Sequence, residues 1–326
     1  MSFLLDNAVL LIIVGALGIP AIVYLMLGLG ERILALLPGQ LGRRWRPLVW
    51  LLLPLALVLL ILVYPLVATI IASVRDAKGE GFVGFANFAW AFQGEMADVI
   101  GNNLLWLVVF PLGTLVLALV AAVLFDRVKY ERVAVTLIVL PTAISFVAGS
   151  VIWTQMYSYQ PAGATQRGTF NALLTLLVPG AQPVPWLQTP VVNNFALILI
   201  AVWLSLGIAT LILSAAVKNV PAELLEAARL DGAGEWRVFF SVTLPGILPA
   251  VLVVLTTEII AALKIFDIVY VLTNGNFGTD VIANRMYNEL FAVNNLGHAS
   301  AIAVILLVAA MPVVLINIVQ FRAENA

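Results

Sequence analysis

Seven apolar runs of about 20 residues recur along this chain, and they constrain its fold more than any other feature. A helix of that length is long enough to cross the hydrocarbon core of a bilayer. The runs are 8–29, 48–73, 102–124, 133–156, 193–217, 246–270 and 299–321. Because 63% of the residues are hydrophobic and 10% are charged, a water-soluble domain is excluded. The sequence therefore predicts an all-α integral membrane protein with seven transmembrane helices.

Few side chains are available for covalent or metal chemistry. The chain has no cysteine and a single histidine, His298, to which we assign no role. Disulfides, cysteine-based metal sites and thiol catalysis are therefore excluded. We predict that the chain is not an enzyme and has no metal site and no cofactor of its own. A net charge of −1 gives no indication of nucleic-acid binding.

Lys and Arg are distributed unevenly between the two alternating sets of loops. Eleven fall in loops 30–47, 125–132 and 218–245 and in the tail from Arg322, and four fall in 74–101, 157–192 and 271–298. Because the loops richer in Lys and Arg stay in the cytoplasm, the first set is predicted to be cytoplasmic. The N-terminus is then outside and the C-terminus inside.

Loop 218–245 reads as two short helices joined by a glycine turn. Pro221 suits a first helical turn, Gly232 and Gly234 permit the break, and Pro245 starts the next span. A short amphipathic helix pair could simply lie on the lipid surface. Its acids outnumber its bases, which argues against that interpretation without excluding it.

Residues of this loop and of several other segments resemble the permeases of ABC importers. Glu226-Ala227-Ala228, the following Gly232, and Val242-Thr243-Leu244-Pro245 resemble the family's EAA loop. Further similarity to its carbohydrate (maltose and α-glucoside) branch is carried by Phe82–Gly84, Asn87-Phe88, Asn103, Trp153, Gly168, Asn171, Phe266–Tyr270, Thr273–Gly275 and Gly297–Ala301. The resemblance covers residues 48–321. Segments 157–171 and 274–278 look most like α-glucoside or glucosylglycerol permeases, although Gly275-Asn276-Phe277-Gly278 stands where the family usually has consecutive glycines.

The resemblance implies a domain organisation and a set of partners. Residues 48–326 would form a six-helix permease core with the coupling loop 218–245, and residues 1–47 an added transmembrane helix and cytoplasmic linker. The expected partners are a second homologous permease, two copies of an ABC ATPase that use ATP and Mg, an extracytoplasmic sugar-binding protein, the sugar and membrane lipid. The expected ATPase-coupling residues are Glu226, Ala227, Ala228, Asp231, Gly232, Leu244 and Pro245. The protein would lie in the bacterial inner membrane.

Two ionisable groups, Glu258 and Lys264, stand out in the run 246–270. A charge inside a bilayer costs about 2.5–3.5 kcal/mol on insertion scales, so it usually faces a cavity or a partner. A separation of six residues places the two groups on different helix faces, so Glu258 needs another partner. It could accept bonds from sugar hydroxyls, or form a structural contact with another helix. By resemblance, the sugar-binding residues would be Glu258, Ala261, Ala262, Ile265, Ala201, Leu204, Ser205 and Ile208.

Aromatic and charged residues near these positions have a structural and a functional interpretation. Stacking on sugar faces is conceivable for Trp153, Tyr157, Trp203, Phe266 and Tyr270, but core or interface-belt positions are the commoner role. Lys264 is expected to extend outward, and Asp267 to pair with Lys264 or with a group of a re-entrant loop.

These observations predict a sugar-importing permease subunit whose energy comes from other chains. The sequence has no Gly-x-x-x-x-Gly-Lys-[Ser/Thr] phosphate loop, so separate ATPase subunits would hydrolyse ATP. One alternative is an ion-coupled secondary transporter that uses Glu258 and Asp267. Another is an intramembrane enzyme, for which no clustered catalytic set is present.

Overall fold

The computed structural model describes residues 54–125 and 128–324 and, before them, 18, 21, 23–25, 27–32, 47 and 50–52. Side chains are described up to residue 313 and at 315. The chain divides into two compact units, Met1–Ile71 and Ala72–Ala326. Most of the predicted first span, 8–29, and most of the predicted domain 1–47 lie outside the described residues.

Within the described residues the regular elements are helices. They are α1 (Trp50–Ser73), α2 (Ala86–Trp90), α3 (Met96–Phe125), α4 (Glu131–Ala143), α5 (Phe146–Met156), α6 (Thr169–Leu177), α7 (Val192–Lys218), α8 (Ala222–Leu230), α9 (Glu235–Gly246), α10 (Leu248–Leu263), α11 (Asp267–Leu272), α12 (Ile282–Phe291) and α13 (Leu296–Glu324). Extended pairing is limited to one isolated bridge between Arg75 and Phe82 in the described part of the chain.

Four of the described helices, α1, α3, α7 and α13, are long and apolar enough to cross a membrane. The count rises to six if each of two bent pairs, α4 with α5 and α9 with α10, is taken as one span. The all-helical class and the runs at 48–73, 102–124, 193–217 and 299–321 are therefore confirmed as helices. The other two described runs depart from single straight spans.

The run 133–156 is broken, which corrects its prediction as one helix. Its two halves, α4 and α5, meet at 103°. Pro141 lies in the 3₁₀ turn that ends α4, Ile144 is extended, and Ser145 caps α5 by accepting a bond from the Ala148 N–H at 3.2 Å. Proline lacks an amide hydrogen and a serine cap starts a new helix, so the bend has a local cause.

The run 246–270 also differs from its prediction at both ends. Pro245 does not start the span: it belongs to the last turn of α9, and α10 begins at Leu248 after a bend of 73°. At the other end α10 stops at Leu263, and a separate helix, α11, starts at Asp267. The intervening Ile265 is buried in the core, and burial of its side chain accompanies the break.

Helices α3 and α7 form the centre of the second unit. Trp106 and Phe110 of α3 and Leu197 and Ile200 of α7 are completely buried in its main apolar cluster. Gly207 lets α7 approach α4 closely, because a Cβ there would lie 2.7 Å from the Val139 Cα and 2.8 Å from the Ile138 carbonyl oxygen. Small residues at such crossings are typical of helices packed in a membrane.

Candidate functional site

Loop 218–245 has the predicted architecture of two helices and a glycine turn. Gly232 follows α8 with φ +79°, a conformation that residues with a Cβ avoid. The Ala233 N–H donates to the Ala228 carbonyl at 3.1 Å across this turn, which satisfies a terminal carbonyl of α8. Pro221 lies one position earlier than expected, at the N-cap of α8 rather than in its first turn.

An ion pair closes the hairpin made by α8 and α9. The Arg229 Nε lies 3.0 Å from the Glu235 Oε1, and both side chains are about half exposed. A pair so exposed contributes at most about 1 kcal/mol. It therefore adds little to the stability of the fold.

Both acidic and apolar residues of the hairpin are exposed. Glu226, Ala227, Asp231, Gly232 and Pro245 are exposed, whereas Ala228 and Leu244 are half-buried. Leu230 is 88% exposed and Trp236 is 79% exposed. Apolar side chains gathered on an exposed hairpin indicate an interaction surface.

The hairpin is linked to the ends of the long helices. A cavity of about 150 Å³ separates it from α3 and α7, and is lined by Val123, Val217, Leu225, Arg229, Glu235, Val238, Phe239 and Thr243. Next to it an ion pair joins Lys218, the last residue of α7, to Glu131, the first residue of α4. The hairpin therefore lies beside the ends of α3 and α7.

Glu258 has a polar neighbour on another helix. The residue is 7% exposed. Ser205 of α7 is the polar side chain close to its carboxyl group. The structure therefore brings together, at these two positions, the two helix faces that the sequence selected.

The remaining predicted sugar-binding residues divide into two groups. Ala201, Leu204, Ala262 and Ile265 are buried in the main apolar cluster. Leu204 packs on Gly149 of α5, with its Cδ1 3.0 Å from the position a Cβ would take there. Ala261 is half-buried and Ile208 is 56% exposed. In this chain alone, the first group and Glu258 are buried, while Ser205, Ala261 and Ile208 are at least partly exposed.

The aromatic residues Trp153, Tyr157 and Trp203 take part in packing. Trp153 and Tyr157 are buried, and their rings contact Phe170 at centroid distances of 5.6 and 5.2 Å. The Tyr157 hydroxyl donates to the Ala196 carbonyl at 2.9 Å. This cluster joins the segment after α5 to α7, which is the commoner role that the sequence indicated for it.

A group of asparagines at the starts of α3 and α7 was missed as a unit by the sequence interpretation. Asn102 donates to the carbonyls of Gly278 and Asp280, both at 2.9 Å, and Asn193 donates to that of Phe277 at 2.8 Å. The Asn103 side chain accepts from the Ile282 N–H at 2.7 Å. The sequence feature that could have predicted this group is the pair of asparagines at the start of each of two apolar runs.

A second missed feature is a charged cluster on α12 and α13. Buried Glu289 pairs with Arg285 at 3.1 Å and with the His298 Nδ1 at 3.2 Å. The His298 ring stacks on Trp90 with 3.6 Å between centroids. Burial raises the pKa of the nearby Asp280 carboxyl, against the opposing effects of Asn284 and Arg285. His298, left without a role by the sequence, thus connects α2, α12 and α13.

The predicted pairing of Asp267 with Lys264 is not seen. In the part of the chain that the structure describes, neither residue forms an ion pair. Lys264 is exposed, as expected, and Asp267 is half-buried at the start of α11. The same described residues contain no group of three or more metal-ligating side chains.

The fold and the exposed hairpin together define a multi-pass membrane protein built to contact another protein. Residues 1–323 match the family of binding-protein-dependent transport system inner membrane components. The chain belongs to this family: it is an inner-membrane transport subunit, and ATP is used by partner ATPase subunits rather than by this chain. Membership excludes the alternative of an ion-coupled transporter.

Individual relatives agree with this assignment. The chain is 49% identical to the osmoprotective compounds uptake permease protein GgtC of Synechocystis sp. over 265 residues, which cover 81% of this chain and 94% of that protein. It is 40% identical to the alpha-glucoside transport system permease protein AglF of Rhizobium meliloti, with 86% and 83% covered. It also resembles a subunit of the bacterial alginate ABC transporter crystallised with an alginate pentasaccharide-bound periplasmic protein. That match has a TM-score of 0.71, 25% identity, and 84% and 93% coverage.

Proposed function

We propose that this chain is the permease subunit of an importer for an α-glucoside or another di- or oligosaccharide. The observation that carries the proposal is that two polar side chains, buried Glu258 of α10 and half-buried Ser205 of α7, are neighbours in an otherwise apolar bundle. A carboxylate and a hydroxyl inside an otherwise apolar bundle provide acceptors and a donor for sugar hydroxyls. The alpha-glucoside permease among the relatives supports the same substrate class.

The proposal includes the arrangement of the chain in the membrane. Seven spans, with the N-terminus outside, place hairpin α8–α9 in the cytoplasm and the segments 74–101, 157–192 and 271–298 outside. A sugar-binding protein would deliver its ligand to the outer segments. A second, homologous permease would complete the pathway.

The α8–α9 hairpin is proposed to dock into one of two ATPase subunits. Glu226, Ala227, Ala228, Asp231, Gly232, Leu244 and Pro245 would form or shape the contact. Exposed Leu230 and Trp236 would add apolar area to it. ATP-driven closure of the ATPases would then move the hairpin and rock the long helices between inward-facing and outward-facing states.

Reconstitution of the complete complex tests this function. With its binding protein present, maltose or glucosylglycerol should stimulate ATP hydrolysis and be taken up into proteoliposomes. Glycine betaine, an osmoprotectant without sugar hydroxyls, should do neither. Stimulation by glycine betaine alone would overturn the sugar assignment.

The docking proposal is tested by a charge reversal with a matched control. Glu226→Lys should insert into the membrane but lose the ATPase on purification or lose coupled hydrolysis. Glu80→Lys makes the same charge reversal at an exposed position of segment 74–101 and should retain the ATPase. Normal uptake with Glu226→Lys would contradict the docking role.

A further inference from the structure

Four aromatic rings form a continuous ladder along α11 and α12. Phe266 and Tyr270 stack with 5.1 Å between centroids and 24° between planes, and Tyr270 meets Tyr287 edge-on at 5.0 Å. Tyr287 then contacts Phe291 at 4.7 Å. The four residues, Phe266, Tyr270, Tyr287 and Phe291, are called the aromatic ladder below.

One side of the ladder is open. Tyr270 is 39% exposed and Phe291 is 63% exposed, while Phe266 and Tyr287 are half-buried. The opposite face of α12 is already occupied, because Ile282 and Met286 pack in the apolar cluster of Trp90, Met96 and Ile302. The open side therefore faces away from α2 and α13.

Polar groups accompany the rings. Lys264 and Asp267 lie on either side of Phe266 in the sequence. Neither forms an ion pair with another residue that the structure describes. A surface that faces lipid would not favour charges beside its rings. Aromatic surface with a few polar groups at its edge is instead typical of a ligand site.

The ladder continues from the site around Glu258. Helix α10, which carries Glu258 and Ala261, ends at Leu263, and Phe266 follows buried Ile265 directly. A sugar ring has an apolar C–H face and a rim of hydroxyls, so it can stack on a ring and bond to polar groups around it. We propose that the aromatic ladder is a second sugar-stacking surface on the outer approach to the Glu258 site. This proposal rests on the proposed sugar import.

Cysteine labelling at the two ends of the ladder tests the proposal. The chain has no cysteine, so Lys264→Cys and Phe291→Cys each introduce a single reporter while leaving at least three rings in place. The complex, held in its ATP-bound state by a slowly hydrolysed analogue, is exposed to a hydrophilic thiol reagent. Maltose or maltotriose should slow labelling of both reporters severalfold. Sorbitol, an acyclic polyol, should not, and exposed Glu80→Cys should be unaffected by any of the three solutes.

Ring removal gives a second readout. Tyr287→Leu should reduce maltotriose uptake by about three- to tenfold, the loss expected for one aromatic contact. Tyr287→Phe keeps the ring and should restore most of the uptake. If Tyr287→Leu lowers the yield of assembled complex, sugar protection of Lys264→Cys in the intact ladder still decides the matter.

The possible failures are distinguishable. If the thiol reagent labels neither reporter in the absence of sugar, lipid or the second permease covers the ladder, and the proposal is overturned. Accessible reporters without sugar protection overturn it as well, while maltose uptake by the unmodified complex would leave the proposed function standing. Absence of uptake of maltose, maltotriose and glucosylglycerol by the unmodified complex would overturn both.

Discussion

Glu258 is a polar residue buried inside an apolar bundle. An acid in a membrane span needs a hydrogen-bond partner or a wet cavity, because an unpaired charge is costly there. Ser205 of α7 is a polar neighbour of its carboxyl group, and a carboxylate can accept bonds at both oxygens. That unused acceptor capacity is what a sugar hydroxyl would occupy.

Substitutions of Glu258 separate a sugar contact from a structural role. Charge-assisted hydrogen bonds contribute about 1.5–3 kcal/mol, so Glu258→Ala should lower sugar uptake about tenfold or more. Glu258→Gln keeps the shape and one acceptor and should fall between it and the unmodified protein. Uptake by purified, correctly assembled complexes is the measurement.

The neighbouring Thr257 provides a control for this change. Its hydroxyl donates to the Val253 carbonyl of its own helix at 2.8 Å, so Thr257→Ala should retain uptake. Basal ATP hydrolysis should survive in every variant. Full uptake by Glu258→Ala would end the pocket hypothesis, and a loss of assembled complex alone would indicate a structural role.

At the scale of elements, hairpin α8–α9 depends on a turn that its sequence encodes locally. Gly232 has φ +79° and open space around it, so a substitution there strains the backbone without a steric clash. Gly234 is two residues further, with φ −69° and equally open space. The two glycines therefore form a matched pair for testing the turn.

Alanine substitutions at this pair should have unequal effects. Gly232→Ala should cost about 1–2 kcal/mol in the turn and shift the hairpin toward other conformations. ATPase retention and coupled hydrolysis should fall with it. Gly234→Ala should leave both near normal. Equal behaviour of the two variants would show that the turn geometry does not control docking.

At the scale of the whole molecule, the charge distribution predicts how the chain crosses the membrane. The eleven-to-four division of Lys and Arg between the loop sets gives an outside N-terminus and a cytoplasmic hairpin. The described helices provide four to six candidate spans. The added first span is what would place the N-terminus outside.

Single cysteines test this topology in intact cells. Ser2→Cys should react with a membrane-impermeant thiol reagent applied from outside. Lys129→Cys, in the exposed loop before α4, should react only after permeabilisation. The reverse pattern would place the hairpin outside, and protection of both in intact cells would remove the added first span.

Several features of this protein follow from its sequence because their causes are local. Apolar runs of spanning length have few alternatives to helix in a bilayer, since each backbone polar group must be paired within the segment. The hairpin α8–α9 could be predicted equally well, because two helix-forming stretches joined by glycines form a turn for local reasons. The break at Pro141 and Ser145 had a local signal too, although the apolar composition concealed it.

Other features were decided by tertiary packing. No Gly or Pro stands between Leu263 and Asp267, yet α10 ends there and Ile265 enters the core. The sequence placed Ala201, Leu204, Ala262 and Ile265 on the same helix faces as Glu258 and Ser205. Only packing against α3 and α5 determined which of them are buried. Periodicity defines the face of one helix, but the neighbour that covers each part of that face depends on contacts between residues far apart in the chain.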